Sequence, residues 1–281
     1  MKIITFNLIL VVKYLLIFLS LYDIIMFMKQ IMLKNFLLIV IVMQILPIFA
    51  QKKYTSADGF YGYNFSEDFT KMSSTIIDSE ISIDNSIENQ TEITHLRKSI
   101  IPFWKIGSIE YIYFESDFYF ILQNLDKQFI FVKEGKWTEY WKKNIKPGIY
   151  EATSEQKNFL YNYDVFNLSQ FNFDCWISNS QNSTTNECIT IETDSKFSSF
   201  RLVNGYIDFL NPENFESYSR VKTLKAYDEN NNHIGTFNFK DNCSIQNFYL
   251  QNEVSFIRFE ITDTYSGSLY DDVALTVLQC Y

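Results

Sequence analysis

Histidine is nearly absent: the 281-residue chain has two, His95 and His233. A Ser-His-Asp system would need one of them beside a nucleophile. His95 precedes Leu96-Arg97-Lys98, and His233 follows three asparagines in a polar turn. No nucleophile elbow, phosphate-binding loop or His-Glu-x-x-His helix occurs. Two carboxylates would suffice for a glycosidase, but no pair among the 33 acidic residues stands out as one. The chain therefore reads as non-catalytic. Zinc lacks support as well, because the four cysteines form no Cys-x-x-Cys pair and have no nearby histidine.

Basic charge is also in short supply. Residues 150–281 hold eight basic against eighteen acidic side chains, out of a chain net charge of −9. Nucleic acid needs a basic face, so it is excluded as a partner, and electrostatic docking on anionic lipid is disfavoured. Glycine and proline number only 8 and 4, against 27 Phe and 19 Tyr. Aromatic and β-branched residues suit pleated, half-buried surfaces, and the expectation is an all-β protein.

The amino terminus is different in kind. Met28-Lys29 and Lys34 precede an apolar run from Phe36 to Ile48, and Ala50 follows. A basic start, an apolar core and a small residue make a secretory signal, with cleavage expected after Ala50. The preceding stretch, Ile3 to Phe27, carries Lys13 and Asp23, which are costly inside a bilayer. Translation from Met28 or Met32 is the preferred account, and a genuine membrane span over residues 3–27 is the alternative. Either way the bulk of the chain is expected outside the cytoplasm, as a secreted, periplasmic or cell-surface protein. Cys175, Cys188, Cys243 and Cys280 fit export as two disulfides, with Cys175–Cys188 and Cys243–Cys280 the favoured pairing among three.

The remaining chain divides into a polar linker over 51–96, a small β-rich unit over 97–149 and a β-sandwich over 150–281. Short strands are expected at 109–114, 118–123 and 129–132. Trp104, Trp137 and Trp141 read first as core and second as a sugar-stacking platform. In the last region, apolar and polar residues alternate over 220–227, 233–239, 246–250 and 255–262, and two further strands fall at 188–191 and 200–203. Asn-x-Ser/Thr matches at Asn64, Asn89, Asn167, Asn182 and Asn242 arise readily by chance in an Asn-rich chain.

Within residues 150–281 an ordered set of short matches stands out: Asn204-Gly205-Tyr206, Ser219-Arg220-Val221-Lys222, Asp241 with Gln246, and Tyr265-x-Gly267-x-x-Tyr270-Asp271-Asp272. Together they resemble the NADase-type glycan-binding domain, a relative of discoidin and coagulation factor type C domains. The resemblance implies a galactose-binding-like jelly roll and a binding role, with carbohydrate or a surface glycoconjugate as partner. Two positions depart from the family's pattern: Ser219 stands where Asn is common, and Val273-Ala274-Leu275 where a Ser-Glu strand often follows. Trp176, Tyr206, Arg220, Tyr265 and Tyr270 are the candidate ligand contacts. Asp271 and Asp272 are the candidate metal ligands, for Ca²⁺, although structural use of the pair is the stronger expectation. The alternative to glycan recognition is an envelope structural or protein-interaction module.

Overall fold

The computed structural model describes residues 51–57, 61–76, 91–136, 145–157, 163–179 and 186–281. The signal segment, the 3–27 stretch, Trp137 and Trp141 lie outside the described residues. Among the described residues no helix is long and apolar enough to cross a membrane.

The fold is all-β and has two parts within one compact unit that starts at Lys52. The first is a closed antiparallel barrel of eight strands: β1 Lys52–Ser56, β2 Tyr61–Phe65, β3 Lys71–Ile76, β4 Thr91–Lys98, β5 Ile101–Ile106, β6 Ile109–Glu115, β7 Tyr119–Gln123 and β8 Gln128–Lys133. Each strand pairs with the next, and β1 closes on β8 through Tyr54–Lys133, Thr55–Val132 and Ser56–Phe131. Closure leaves no free edge. The linker expected over 51–96 is thereby corrected, because its ends form β1 to β4. Its polar composition hid the strands, since polar side chains on their outer faces break the apolar pattern. Phe65, Trp104, Tyr111, Phe120, Leu122 and Phe131 fill the barrel's core. Trp104 is sandwiched between Tyr113 (centroids 4.5 Å apart) and His95 (5.1 Å), so it is core and no part of a sugar platform. His95 Nε2 lies 3.0 Å from the Phe69 carbonyl, a structural contact.

The second part is a seven-stranded sheet: β9 Gly148–Ala152, β10 Trp176–Ile177, β11 Cys188–Asn204, β12 Arg220–Tyr227, β13 His233–Asn238, β14 Gln246–Tyr265 and β15 Ala274–Cys280. Its order is β10-β15-β11-β14-β12-β13, with β9 beside the first half of β11. Two strands are far longer than the sequence pattern suggests. The polar interruptions near Thr193–Lys196 and Asn252–Glu253 look like turns, but there the β11–β14 register shifts while pairing resumes beyond. Such bulges bend a strand without ending it. The bent sheet closes over one core, to which Tyr150, Trp176, Ile191, Phe200, Leu224, Phe259 and Leu278 all contribute. This is the galactose-binding-like jelly-roll sandwich.

A third cluster joins the two parts. Phe103, Ile112, Phe114, Ile121 and Val132 of the barrel pack with Val203, Ile207, Phe215, Ile245 and Val277 of the sandwich. Alternation explains how each strand serves two cores. In β7, Phe120 and Leu122 enter the barrel while Tyr119 and Ile121 face the sandwich. Polar bonds fix the junction. Arg201 donates to the Tyr119 hydroxyl at 2.8 Å and to Gln279 Oε1 at 2.8 Å, and the Ile245 amide donates to the Glu115 carbonyl at 2.8 Å.

The expected disulfides are not formed, and all four thiols are free. Cys280 lies in the sandwich core, Cys243 in the shared core and Cys175 in a small separate cluster, so the topology keeps the expected partners apart.

Candidate binding site

The turn that follows β14 folds back onto residues 216–219. The amides of Ser268, Leu269 and Tyr270 donate to the carbonyls of Glu216 (2.9 Å), Ser217 (3.1 Å) and Ser217 (2.9 Å). Gly267 makes the close approach possible. A Cβ there would meet the Tyr270 oxygen at 2.3 Å and the Ser217 oxygen at 2.5 Å. Ser219 is the hub beneath the turn. Its hydroxyl accepts from the Gly267 amide at 3.1 Å, its amide donates to Asp272 O at 3.0 Å and its carbonyl accepts from Ala274 at 2.9 Å. The departure from the family's usual Asn is thus accommodated by a short side chain that fits under the turn.

This clamp sets Tyr270 on Tyr218, with ring centroids 4.6 Å apart and planes at 29°. Tyr218 in turn meets Tyr206 edge-on at 5.7 Å, and Tyr206 meets Tyr163 at 5.9 Å. The rings run from the surface, where Tyr270 is 47 % exposed, inward to the cluster around Cys175 and Ala274. Desolvation, followed by the charges of Tyr163 and Tyr270, pushes the Tyr218 hydroxyl up to about 12. Burial raises Tyr206 further, and it pushes the Cys175 thiol up as well. All these groups stay neutral near pH 7, and the phenols remain hydrogen-bond donors.

Two expected contacts are corrected. Trp176 is fully buried in the sandwich core, with its indole N–H on the Ser154 carbonyl at 3.0 Å, so a ligand at the surface does not reach it. Arg220 is also committed internally. It donates to Asp241 through Nε (2.7 Å) and Nη2 (3.1 Å), and through Nη1 to the carbonyls of Tyr218 (2.7 Å) and Phe215 (3.2 Å). With its donors engaged, it acts as the clamp that holds residues 215–218 in place. Its carboxylate partner is Asp241 rather than Asp271 or Asp272. Tyr265 is half-buried and donates to the Phe239 carbonyl at 2.9 Å, which makes it a wall residue. Tyr206 and Tyr270 remain in the aromatic row. Nothing in the sequence spacing places Tyr163 beside Tyr206 or Tyr218 beside Tyr270.

Asp271 is exposed and Asp272 is half-buried beside Tyr218. Among the described residues no group of three or more His, Cys, Asp or Glu could hold a metal ion. Calcium takes roughly six to eight oxygen ligands, so Asp271 and Asp272 would need backbone carbonyls and water to complete a site.

The family described as "NAD glycohydrolase translocation F5/8 type C domain" has a model that matches residues 140–281. No curated protein matches the chain. Similar solved structures include the family 32 carbohydrate-binding module of Clostridium perfringens NanJ with galactose, at 10 % identity and TM-score 0.37, covering 47 % of this chain and 92 % of that one. A C. perfringens module bound to GalNAc-β-1,3-galactose has 15 % identity and TM-score 0.35, covering 48 % and 94 %. A putative chitobiase fragment from Bacteroides thetaiotaomicron has 14 % identity and TM-score 0.38, covering 48 % and 92 %. Likeness at these scores carries no argument about what this chain binds.

Proposed function

The chain belongs to the NAD glycohydrolase translocation F5/8 type C domain family, and from that premise we propose that it is a non-catalytic, extracytoplasmic binding protein that recognises carbohydrate or a surface glycoconjugate. The observation that carries this reading is the Tyr218–Tyr270 stack, half-exposed at its outer ring and clamped from below. Tyrosine supplies a large amphipathic contact face at low entropic cost, and a clamped loop loses little freedom on binding. An aromatic face suits the C–H face of a sugar ring, and the neutral phenols add donors for its hydroxyls. The acidic balance of residues 150–281 favours neutral or cationic ligands over anionic ones. Export rests on the apolar segment ending at Ala50; the free thiols give it no added support.

A second reading, docking of a protein partner, has its own support in Leu269. This residue is 72 % exposed beside Tyr270, an apolar tip that a sugar would not need. A glycan array probed with full-length protein separates the two. The first reading expects at least one neutral glycan whose binding drops about tenfold or more in Tyr270→Ala while the melting temperature is kept. Failure to bind any glycan, or the lack of any glycan whose binding falls in Tyr270→Ala, would overturn it.

A further inference from the structure

A polar cleft of about 470 Å³ lies where the β6–β7 turn of the barrel meets the loop between β13 and β14. We propose that this cleft is a second binding site, for a neutral saccharide, built jointly by the barrel and the sandwich. The proposal stands on different residues from the tyrosine platform and does not depend on it.

The lining is the first argument. Glu115 and Asp117 come from the barrel turn, while Asn238, Lys240, Asn242 and Ser244 come from the sandwich. Carboxylates accept from sugar hydroxyls; amide and ammonium groups donate to them; and a planar amide or carboxylate can span two adjacent hydroxyls. The Glu115 carboxylate faces Tyr54 and Tyr113 of the barrel, so Asp117 alone offsets the charge of Lys240, and the nearly balanced lining favours an uncharged ligand over phosphate or a uronate. The lining has little apolar surface, so an apolar peptide side chain gains little there.

Preorganisation is the second argument. The walls are tied across the junction, because Ile245 N donates to Glu115 O at 2.8 Å and Asn247 Nδ2 donates to Ser116 Oγ at 2.9 Å. Asn247 Oδ1 accepts from Tyr281 at 2.6 Å. Gln246 closes the loop on itself through the Lys240 amide (2.8 Å) and carbonyl (3.1 Å). Asn242 Oδ1 accepts from the Ser244 amide at 3.2 Å and hydroxyl at 2.6 Å, which aims its Nδ2 away from the turn. Among the described residues neither Asn242 Nδ2 nor Lys240 Nζ has a hydrogen-bond partner. The frame is satisfied internally, and the groups left over are those a polyol would use.

The test is calorimetric titration of the full-length protein with lactose, diacetylchitobiose and cellobiose. Asn242→Asp keeps the turn's acceptor and removes the donor, and Asp117→Asn neutralises an exposed carboxylate. The expected result is binding of at least one of these disaccharides, weakened about tenfold by each variant at unchanged melting temperature. It should persist in Tyr270→Ala. No binding by the wild-type protein, or affinities within about twofold of wild type in both variants, overturns the proposal. So does binding lost in Tyr270→Ala but kept in the two cleft variants.

Discussion

Gly267→Ala tests the site at its tightest point. The added Cβ would sit 2.3 Å from the Tyr270 oxygen, 2.5 Å from the Ser217 oxygen and 2.6 Å from the Tyr218 carbonyl carbon. All three are backbone atoms, so no side chain can rotate away, and the turn must lift by about 1 Å to restore ordinary contact. Lifting stretches the hydrogen bonds that the amides of Gly267, Ser268, Leu269 and Tyr270 donate to residues 216–219. A typical intramolecular hydrogen bond contributes about 0.5–1.5 kcal/mol net, and water partly replaces those of an exposed turn. The expected loss is therefore about 2 kcal/mol, which lowers the melting temperature by about 4–8 °C for a unit of this size. The same movement unstacks Tyr270 from Tyr218, so glycan binding should fall with it. Thermal melts and array binding read the two effects. A Gly267→Ala protein that melts and binds like the wild type would refute both the clamp and its role in presenting Tyr270.

Three further outcomes follow from other parts of the molecule. Asp68 accepts from the Ser66 hydroxyl and from the Thr70 amide and hydroxyl, and these bonds, the Ser66 one foremost, lower its carboxyl to about 2. A depressed folded-state value means that its stabilising effect is complete above the ordinary carboxylate range and is lost as pH falls towards 2; carboxyl NMR should show that titration. Alkylation of the native protein should label Cys188 alone, since the other three thiols are buried, and unfolding should release all four; four unreactive cysteines without reductant would point to disulfides instead. Phe103→Ala, in the core shared by barrel and sandwich, should destabilise by about 3–5 kcal/mol and lower protection of β6 and β15 together by hydrogen exchange; loss confined to β6 would contradict the shared core.

Where one face of a strand is buried and the other wet, the alternation was legible: β6, β8, β12 and β13 fall within a residue or two of their expected places. The linker failed because β1 to β4 carry few apolar side chains, and a closed barrel tolerates that by bonding every strand to two neighbours. The long strands β11 and β14 each look like two strands in the sequence because a bulge and a turn are alike in composition. The Tyr265–Asp272 stretch is legible as a turn, but it does not reveal that Arg220 is spent on Asp241 or that Trp176 is sealed in the core. Those facts depend on which side of each element faces inward, and contacts between residues far apart in the chain decide that.

The boundary drawn by family resemblance and the one drawn by packing are different. The family match begins at residue 140, whereas the compact unit begins at Lys52. β15 shows why the second matters physically. All of its residues from Ala274 to Cys280 are buried, with Leu275, Leu278 and Cys280 in the sandwich core and Val277 in the core shared with the barrel. A strand that is apolar on both faces needs cover on both. Without the barrel, Val203, Phe215, Ile245 and Val277 would face water, at about 1.5–3 kcal/mol for each large side chain. Arg201 and Gln279 would lose the surroundings that pair them. The barrel therefore acts as the second layer over the sandwich sheet, and the cleft at Asp117 and Asn242 exists only where the two meet. A test of the cleft therefore needs the joined unit, not the sandwich alone.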